Sequence, residues 1–265
     1  MKFQGHPCWY ELGTSDPDAA ASFYQRILGW SVGDSGMEGF DYRLAKVGDD
    51  AVAGLMNNGG QPGNPPPNWL VYYASDDIAD SCARITAAGG KVLKGPEMIP
   101  GTGLYAVVTD PQGAHFGMIQ PDMSGMSAED RAKVERGEGA FNQSKAGHGC
   151  WNELMTPDPD AGYRFYADLF GWTKGQGMDM GEMGIYQLVR RNGADIGAIM
   201  AQGNAPVPVW MPYFNVATSA TATVEAIRAA DGQVHHGPAE VPGPAYIAVS
   251  QDPQGAWFGT VSAQM

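Results

Sequence analysis

Two glutamates stand in the same short motif, Cys-Trp-x-Glu-Leu, which occurs twice in the chain. They are Glu11 and Glu153, and strand alternation places each on the same face as a tryptophan, Trp9 or Trp151. A carboxylate among apolar groups can have a raised pKa and act as a general base. The alternative is a glutamate that hydrogen-bonds neighbouring backbone or anchors a turn, because a buried acid is costly unless it is compensated.

Three histidines are further candidates for acid–base or metal chemistry. His115 follows the turn Asp110-Pro111-Gln112-Gly113 and could form an acid–base pair or a partial metal site with Glu11. His6 and His148 match in the two copies of the motif, and histidine is the commonest metal ligand. The alternatives are a rim histidine at His115 and polar residues at a strand entrance for the other two.

The motifs belong to a long internal repeat. Residues Gly5–Trp30 and Gly147–Trp172 are identical at fifteen of 26 positions with a constant offset of 142. The turn Asp110-Pro111-Gln112-Gly113 recurs at the same offset as Asp252-Pro253-Gln254-Gly255. Because a long-period repeat indicates duplicated domains, sites are expected in pairs.

Each copy has the pattern βαβββ twice. The first strand, over His6–Thr14, precedes a helix that Asp16 caps, with Pro17 at its first position. The strand that opens the second unit is expected at Trp69–Ala74 in the first copy and Tyr213–Ala217 in the second.

These patterns predict an α+β protein of two tandem domains. The first covers residues 1–121 and the second residues 147–265. A polar linker over 122–146 carries a short helix candidate, Ser127–Arg136.

Composition excludes several classes of protein. The net charge of −13 disfavours binding to nucleic acid and to anionic membranes. Three cysteines do not form a disulfide framework, and no stretch is apolar enough to span a bilayer, so we expect a soluble cytoplasmic protein. No glycine-rich phosphate loop is present, so a nucleotide cofactor is not expected.

The arrangement resembles the vicinal oxygen chelate superfamily, which includes lactoylglutathione lyase, extradiol dioxygenases and bleomycin-resistance proteins. The resemblance rests on Asp16-Pro17-Asp18, Phe23-Tyr24, Leu28-Gly29-Trp30, Ala87-Ala88-Gly89-Gly90 and Asp110-Pro111-Gln112-Gly113 with Phe116, all of which have counterparts in the second copy. It implies that the two βαβββ modules of each domain form one cup-shaped mixed sheet with helices outside. The superfamily contains isomerases, dioxygenases and pure binders, so the resemblance leaves the chemistry open.

Metal-dependent members of this superfamily take one ligand from the first and last strands of each module. Carried over position by position, these places fall at residues that bind a divalent ion poorly. They are Pro7, Gly54, Leu70 (or Trp69) and Gly117 in the first copy, and Gly149, Gly197, Met211 (or Trp210) and Gly259 in the second. We therefore predict no metal cofactor, with one divalent metal per domain as the alternative.

Aromatic and methionine side chains on the expected inner strands are the candidates for lining the cups. Such side chains suit organic ligands, and the alternative for each is a place in the core. They are Trp9, Met56, Trp69, Tyr72, Tyr105, Trp151, Met200, Trp210, Tyr213, Tyr246 and Trp257.

Two functions follow from the resemblance and these residues. The first is a metal-free protein, similar to glyoxalase and bleomycin-resistance proteins, that binds small organic molecules in aromatic-lined cups. The alternative is a lyase, isomerase or oxygenase that uses Glu11 or Glu153, with His6 or His115, as acid, base or metal ligand. The expected partner is a small molecule, and a homodimer is possible.

Overall fold

The computed structural model describes residues 3–37, 39, 41–59, 65–136, 138–243 and 245–265 of the chain. Within these residues the chain forms two eight-stranded mixed sheets and five α-helices. The predicted α+β class and the duplicated arrangement are therefore confirmed.

The first copy supplies eight strands and two helices in the predicted order. They are β1 (Pro7–Thr14), α1 (Pro17–Leu28), β2 (Ser31–Asp34), β3 (Tyr42–Val47), β4 (Asp50–Asn57), β5 (Asn68–Ala74), α2 (Ile78–Ala87), β6 (Lys91–Ile99), β7 (Gly103–Thr109) and β8 (His115–Pro121). Helix α3 (Ala128–Arg136) lies within the segment expected to be a linker.

The second copy repeats the order and adds a short 3-10 turn, Gly181–Met183. Its elements are β9 (Gly149–Thr156), α4 (Pro159–Phe170), β10 (Thr173–Asp179), β11 (Ile185–Arg191), β12 (Ala194–Ala201), β13 (Val209–Asn215), α5 (Ala220–Arg228), β14 (Gln233–Val241), β15 (Ala245–Gln251) and β16 (Trp257–Ser262).

The two sheets have the same topology. Their strand orders are β2-β3-β4-β1-β5-β8-β7-β6 and β10-β11-β12-β9-β13-β16-β15-β14. Strand β1 runs parallel to β4 and β5 runs parallel to β8, whereas the hairpin neighbours are antiparallel. The first and last strands of each module are therefore neighbours, which brings residues distant in sequence to the same level of the sheet.

Strand β13 differs from its predicted position. It covers Val209–Asn215, whereas the sequence pattern placed it at Tyr213–Ala217. In the structure the residues of β13 that pair with β16 start at Tyr213, so Pro212 precedes the paired residues and its missing N–H removes no bond to β16.

Helices α1 and α4 begin and end as their sequences indicate. The side chain of Asp16 accepts a hydrogen bond from the Ala19 N–H at 3.0 Å, and Gly29 ends α1 with a φ of +71°. Asp158 and Gly171 do the same for α4. The αL conformation at the C-terminal residue favours glycine, so these two glycines are required by backbone geometry.

The chain forms two compact units, each of which combines segments of both copies. One contains the residues up to Cys8 with Val71–Glu138 and Trp151–Trp210. The other contains Trp9–Leu70, Gly139–Cys150 and Met211–Met265. A helix from one copy is thus packed in the same unit as a turn from the other copy.

A buried chain of three side chains links these segments in the unit that contains α1. The Trp69 indole N–H donates to the Tyr24 hydroxyl at 3.0 Å, and this hydroxyl donates to Asp252 Oδ2 at 3.0 Å. The other oxygen of Asp252 accepts from the Gln254 and Ala256 amides of its own turn. We call Trp69, Tyr24 and Asp252 the Asp252 chain.

The other unit contains an equivalent chain. The Trp210 indole donates to Tyr166 at 2.9 Å, and Tyr166 donates to Asp110 Oδ2 at 3.1 Å. We call these three residues the Asp110 chain. Burial raises the pKa of Asp110 and of Asp252, while hydrogen bonds from turn amides and tyrosine oppose the rise. Each carboxyl group is therefore held in the core by donors that arrive from a turn and a helix.

No helix in the described part of the chain is both long and apolar enough to cross a bilayer.

Replacing Tyr24 or Tyr166 by Phe should lower the free energy of unfolding by about 2 kcal/mol for each change. The reason is that each hydroxyl is bonded on both sides, so its removal leaves a buried carboxylate oxygen and an indole N–H unpaired. Urea denaturation followed by circular dichroism measures the change.

Tyr163→Phe is the matched control, because the Tyr163 hydroxyl lies on α4 but makes only a 3.5 Å contact with the Trp172 carbonyl. It should change stability by less than about 0.5 kcal/mol. Equal losses in all three variants would contradict the role assigned to the two chains.

Candidate functional site

A cluster of Trp9, Tyr42 and Glu11 joins strands β1 and β3. The Trp9 indole N–H donates to the Tyr42 hydroxyl at 3.0 Å, and this hydroxyl donates to Glu11 Oε2 at 3.2 Å. All three side chains are half-buried. We call this group the first cluster. Here a carboxylate lies beside two aromatic rings.

The second copy contains the same arrangement. The Trp151 indole donates to the Tyr186 hydroxyl at 2.8 Å, and Tyr186 donates to Glu153 Oε2 at 2.8 Å. Glu153 is only 8% exposed and is therefore more enclosed than Glu11. We call this group the second cluster. Its presence in both copies is what the repeat led us to expect of a shared site.

Strand alternation places the cluster residues away from the core. Tyr10 and Leu12 are fully buried. Trp9, just before Tyr10, and Glu11, between the two buried residues, are only half-buried. The predicted common face of Trp9 and Glu11 therefore follows from the pleat of β1. Tyr42 reaches the same face from β3, one strand beyond β4.

A glycine leaves room for the tyrosine of the first cluster. Gly54 is the β4 partner of Glu11, and a Cβ added at Gly54 would overlap the Tyr42 hydroxyl. In the second copy the β12 partner of Glu153 is Ala198. Gly197 pairs with Asn152 instead, and an added Cβ at Gly197 would overlap the backbone oxygen of Asn152. Glycine is required at both positions because another group lies where a Cβ would stand. At Gly54 this group is a tyrosine hydroxyl, and at Gly197 it is a backbone oxygen.

The two tyrosines are held in the protonated form. Burial raises the pKa of Tyr42, and the charge of Glu11 raises it further. The pKa of Tyr186 is raised well above its ordinary value by the same two causes, first burial and then the charge of Glu153. Each tyrosine therefore acts as a hydrogen-bond donor to its glutamate at neutral pH.

The second module of each copy places a tyrosine ring over a glycine. Tyr72 on β5 pairs with Gly117 on β8, and a Cβ at Gly117 would overlap the Tyr72 ring. Tyr213 and Gly259 repeat this arrangement. By alternation, Leu70 rather than Trp69 shares the face of Tyr72, and Met211 rather than Trp210 shares the face of Tyr213.

The histidines lie at three different kinds of place. His148 is buried, with Nδ1 3.0 Å from the Ala146 carbonyl oxygen and Nε2 3.4 Å from Asp50 Oδ2. His6 is half-buried just before β1. His115 is exposed at the start of β8, where it lines a shallow cavity together with Lys91 and Leu93.

The remaining predicted lining residues divide between core and surface. Trp69 and Trp210 are buried in the Asp252 and Asp110 chains, because they lie on the core side of β5 and β13. Tyr105 donates to Glu97 at 3.0 Å, and Trp257 is exposed. Three residues are half-buried on their strands: Met56, Met200 and Tyr246.

The sequence prediction missed Tyr42 and Tyr186, the central residue of each cluster. They are 144 positions apart rather than 142, so a constant offset does not align them. A short shared pattern was nevertheless present, Tyr42-Arg-Leu in one copy and Tyr186-Gln-Leu in the other. Searching the second strand after the first helix of each copy for matched tyrosines would have found both.

The sequence profile of the Glyoxalase/Bleomycin resistance protein/Dioxygenase superfamily matches residues 7–118. CFP32 of Mycobacterium tuberculosis, provisionally named a glyoxylase, is 33% identical over 262 residues, which span 97% of this chain and 95% of that protein. DnrV of Streptomyces peucetius, named as an anthracycline biosynthesis protein, is 30% identical over 273 residues, with 97% and 93% covered. The chain therefore belongs to this superfamily, as the resemblance indicated.

Solved structures share the fold at low sequence identity. A Mn(II)-bound glyoxalase from Novosphingobium aromaticivorans gives a TM-score of 0.67 at 16% identity, covering 100% of this chain and 84% of that one. The 2,3-dioxygenase LapB from Pseudomonas sp. KL28 gives 0.67 at 14% identity, covering 100% and 94%. At such identities the likeness establishes the fold and leaves the chemistry open.

The residues at the ion-binding places of the superfamily do not fit a divalent cation. Gly54 and Gly117 offer no side-chain donor, and the space beside them is taken by Tyr42 and Tyr72. Within the described ranges, no three His, Cys, Asp or Glu side chains come together in a way that could hold an ion. Glu11 is thus the one carboxylate of the first cluster, and a hard ion needs several oxygen ligands.

Gly54→Ala should displace Tyr42 and break both hydrogen bonds of the first cluster. Overpacking of this kind lowers the free energy of unfolding by about 2 kcal/mol. Near-ultraviolet circular dichroism should also change, because Trp9 loses its fixed partner.

Gly33→Ala serves as the control, since an added Cβ at Gly33 meets no atom within 4 Å. It should leave both the spectrum and the stability close to those of the unmodified protein. An unchanged spectrum in Gly54→Ala would show that Tyr42 is not fixed as described.

Proposed function

We propose that this protein binds small, flat organic molecules that carry hydroxyl groups, using the first and second clusters and no divalent ion at the usual place. The observation that carries the proposal is the position of the Tyr42 hydroxyl. It lies where a side chain on Gly54 would stand, and it is bonded to the nearby carboxylate of Glu11.

The chemistry of the clusters suits such ligands. Indole and phenol rings bury a large apolar area with a defined geometry, so they favour flat molecules. A carboxylate has about four acceptor sites on its two oxygens, so a glutamate bonded to tyrosine can also accept from a ligand hydroxyl. The ring faces would supply affinity and the carboxylate would orient the ligand.

The relatives support this class of ligand. DnrV is named for anthracycline biosynthesis, and anthracyclines contain a flat, hydroxylated polycyclic ring system. The identity of 30% over nearly the whole chain makes a hydroxylated anthraquinone a reasonable first probe.

Glu11→Gln and Glu153→Gln should each weaken binding of 1,8-dihydroxyanthraquinone at the site they belong to. Because a neutral amide is a weaker acceptor than a carboxylate, the Kd of that site should rise about tenfold. Isothermal titration calorimetry measures stoichiometry and affinity, and each variant should show one strong site fewer than the unmodified protein.

Glu97→Gln is the matched control, since Glu97 also accepts from a tyrosine, Tyr105, but lies exposed on strand β6. It should not alter binding, and chelator-washed protein should bind as well as untreated protein. Retention of stoichiometric nickel, zinc, iron or manganese after washing, together with loss of binding when the metal is removed, would contradict the proposal.

A second candidate function is catalysis by the same glutamates. It is favoured by the second cluster, in which Glu153 is 8% exposed and bonded to a tyrosine that burial keeps protonated. A carboxylate and a phenol in contact can serve as base and acid in a lyase or isomerase reaction. His6 and His115 remain the proposed additional groups for this function.

If the protein is an enzyme of this kind, the double variant Glu11→Gln/Glu153→Gln should lower kcat by about 100-fold or more, whereas each single change should remove only the contribution of its own cluster. Turnover would be measured on hemithioacetals of α-ketoaldehydes and on catechols. Glu97→Gln again serves as control, and turnover that persists in the double variant Glu11→Gln/Glu153→Gln would remove both residues from any mechanism.

A further inference from the structure

Trp257 is the most exposed tryptophan of the chain. It begins β16 and is 42% exposed, whereas the other six tryptophans are buried or half-buried. Tryptophan is enriched among the residues that carry most of the binding energy at interfaces.

The Trp257 ring is held in place by its neighbours. The imidazole of His235 on β14 stacks on it, with ring centroids 4.2 Å apart and an interplanar angle of 30°. His235 Nε2 lies 2.9 Å from Gln251 Oε1, and the Gln251 amide donates to the Gly255 carbonyl at 3.1 Å. The turn thus orients the glutamine, the glutamine orients the imidazole, and the imidazole packs on the indole.

Trp257 lies on the face of β16 that points away from the core. The next residue, Phe258, is fully buried, and Gly259 returns to the face of Trp257. On that face Tyr213 lies over Gly259. Tyr213 is itself buried, so the exposed aromatic surface here is that of Trp257 and its histidine neighbour.

The first copy does not have this ring pair. At the constant offset of 142, His235 corresponds to Leu93 and Trp257 corresponds to His115. Both Leu93 and His115 are exposed, so the two copies present different chemistry at the same place on the same scaffold. These residues provide a matched internal control.

We propose that the His235–Trp257 pair is a stacking site for a planar, electron-poor ring system such as a quinone. Indole is the most electron-rich of the protein ring systems, and a ring depleted of electrons by carbonyl groups stacks on it favourably. Because the pair is already oriented, a ligand loses little affinity to ordering of side chains. This site needs no ligand hydroxyl and no glutamate, so it goes beyond the function proposed for the clusters.

The probe is anthraquinone-2-sulfonate, which has no hydroxyl group, and its comparison ligand is anthracene-2-sulfonate, which has the same charge and nearly the same shape. Equilibrium dialysis against the full-length protein at physiological salt measures both affinities. The quinone should bind at least about fivefold more tightly than the anthracene, and Trp257→Ala and His235→Ala should each weaken quinone binding about tenfold.

Leu93→Ala and His115→Ala, at the equivalent places of the first copy, should leave quinone affinity unchanged. So should Glu97→Gln, a change of an exposed carboxylate on β6 that belongs to neither cluster. His235, Trp257, Leu93 and His115 are all exposed, so their replacement by alanine should leave the protein folded. Thermal unfolding checks this for every variant.

Equal affinity for the two sulfonates, or unchanged quinone affinity in Trp257→Ala, would overturn the proposal. The other molecule that could cover the exposed tryptophan is a second copy of the protein. Sedimentation velocity on the same samples tests for such a dimer. A dimer that dissociates in Trp257→Ala without any change in quinone affinity would assign the surface to self-association.

Discussion

Each compact unit is organised around a buried aspartate whose carboxylate oxygens need hydrogen-bond donors. Asp110 and Asp252 sit at the first position of their turns with turn amides bonded to one oxygen and a tyrosine hydroxyl bonded to the other. Leaving a buried carboxylate oxygen without a donor costs free energy, because the group has lost its water and gained no partner. The tyrosine comes from the helix of the other copy, so this requirement fixes which helix packs beside which turn.

The same requirement explains why Trp69 and Trp210 belong to the core. Each donates to the tyrosine that bonds the aspartate, so the indole completes the chain from strand through helix to turn. Sequence composition suggests a ligand-lining aromatic at these positions, because tryptophan is common in such sites. Alternation along β5 places Trp69 in the core instead, on the opposite side of the strand from Tyr72, whose ring covers Gly117.

Much of the fold could be predicted from the sequence because its signals are local and occur twice. Asp16 and Pro17 mark a helix start, Gly29 marks its end, and the repeat confirms each assignment. The clusters were only half predictable. Alternation placed Trp9 beside Glu11, but Tyr42 comes from a strand two places away in the sheet, and its partner in the second copy is out of phase with the repeat by two residues. Contacts across a sheet depend on register, which a single sequence does not reveal.

The interlocked composition of the units has a consequence for how such a chain could arise. A single copy, cut from the other, would carry an aspartate whose tyrosine partner is on the missing half. It could satisfy that group by associating with an identical copy, each lending its helix to the turn of the other. Fusion of two such genes would then replace a bimolecular contact by a covalent tether, after which the halves could diverge, as Trp257 and His115 have done.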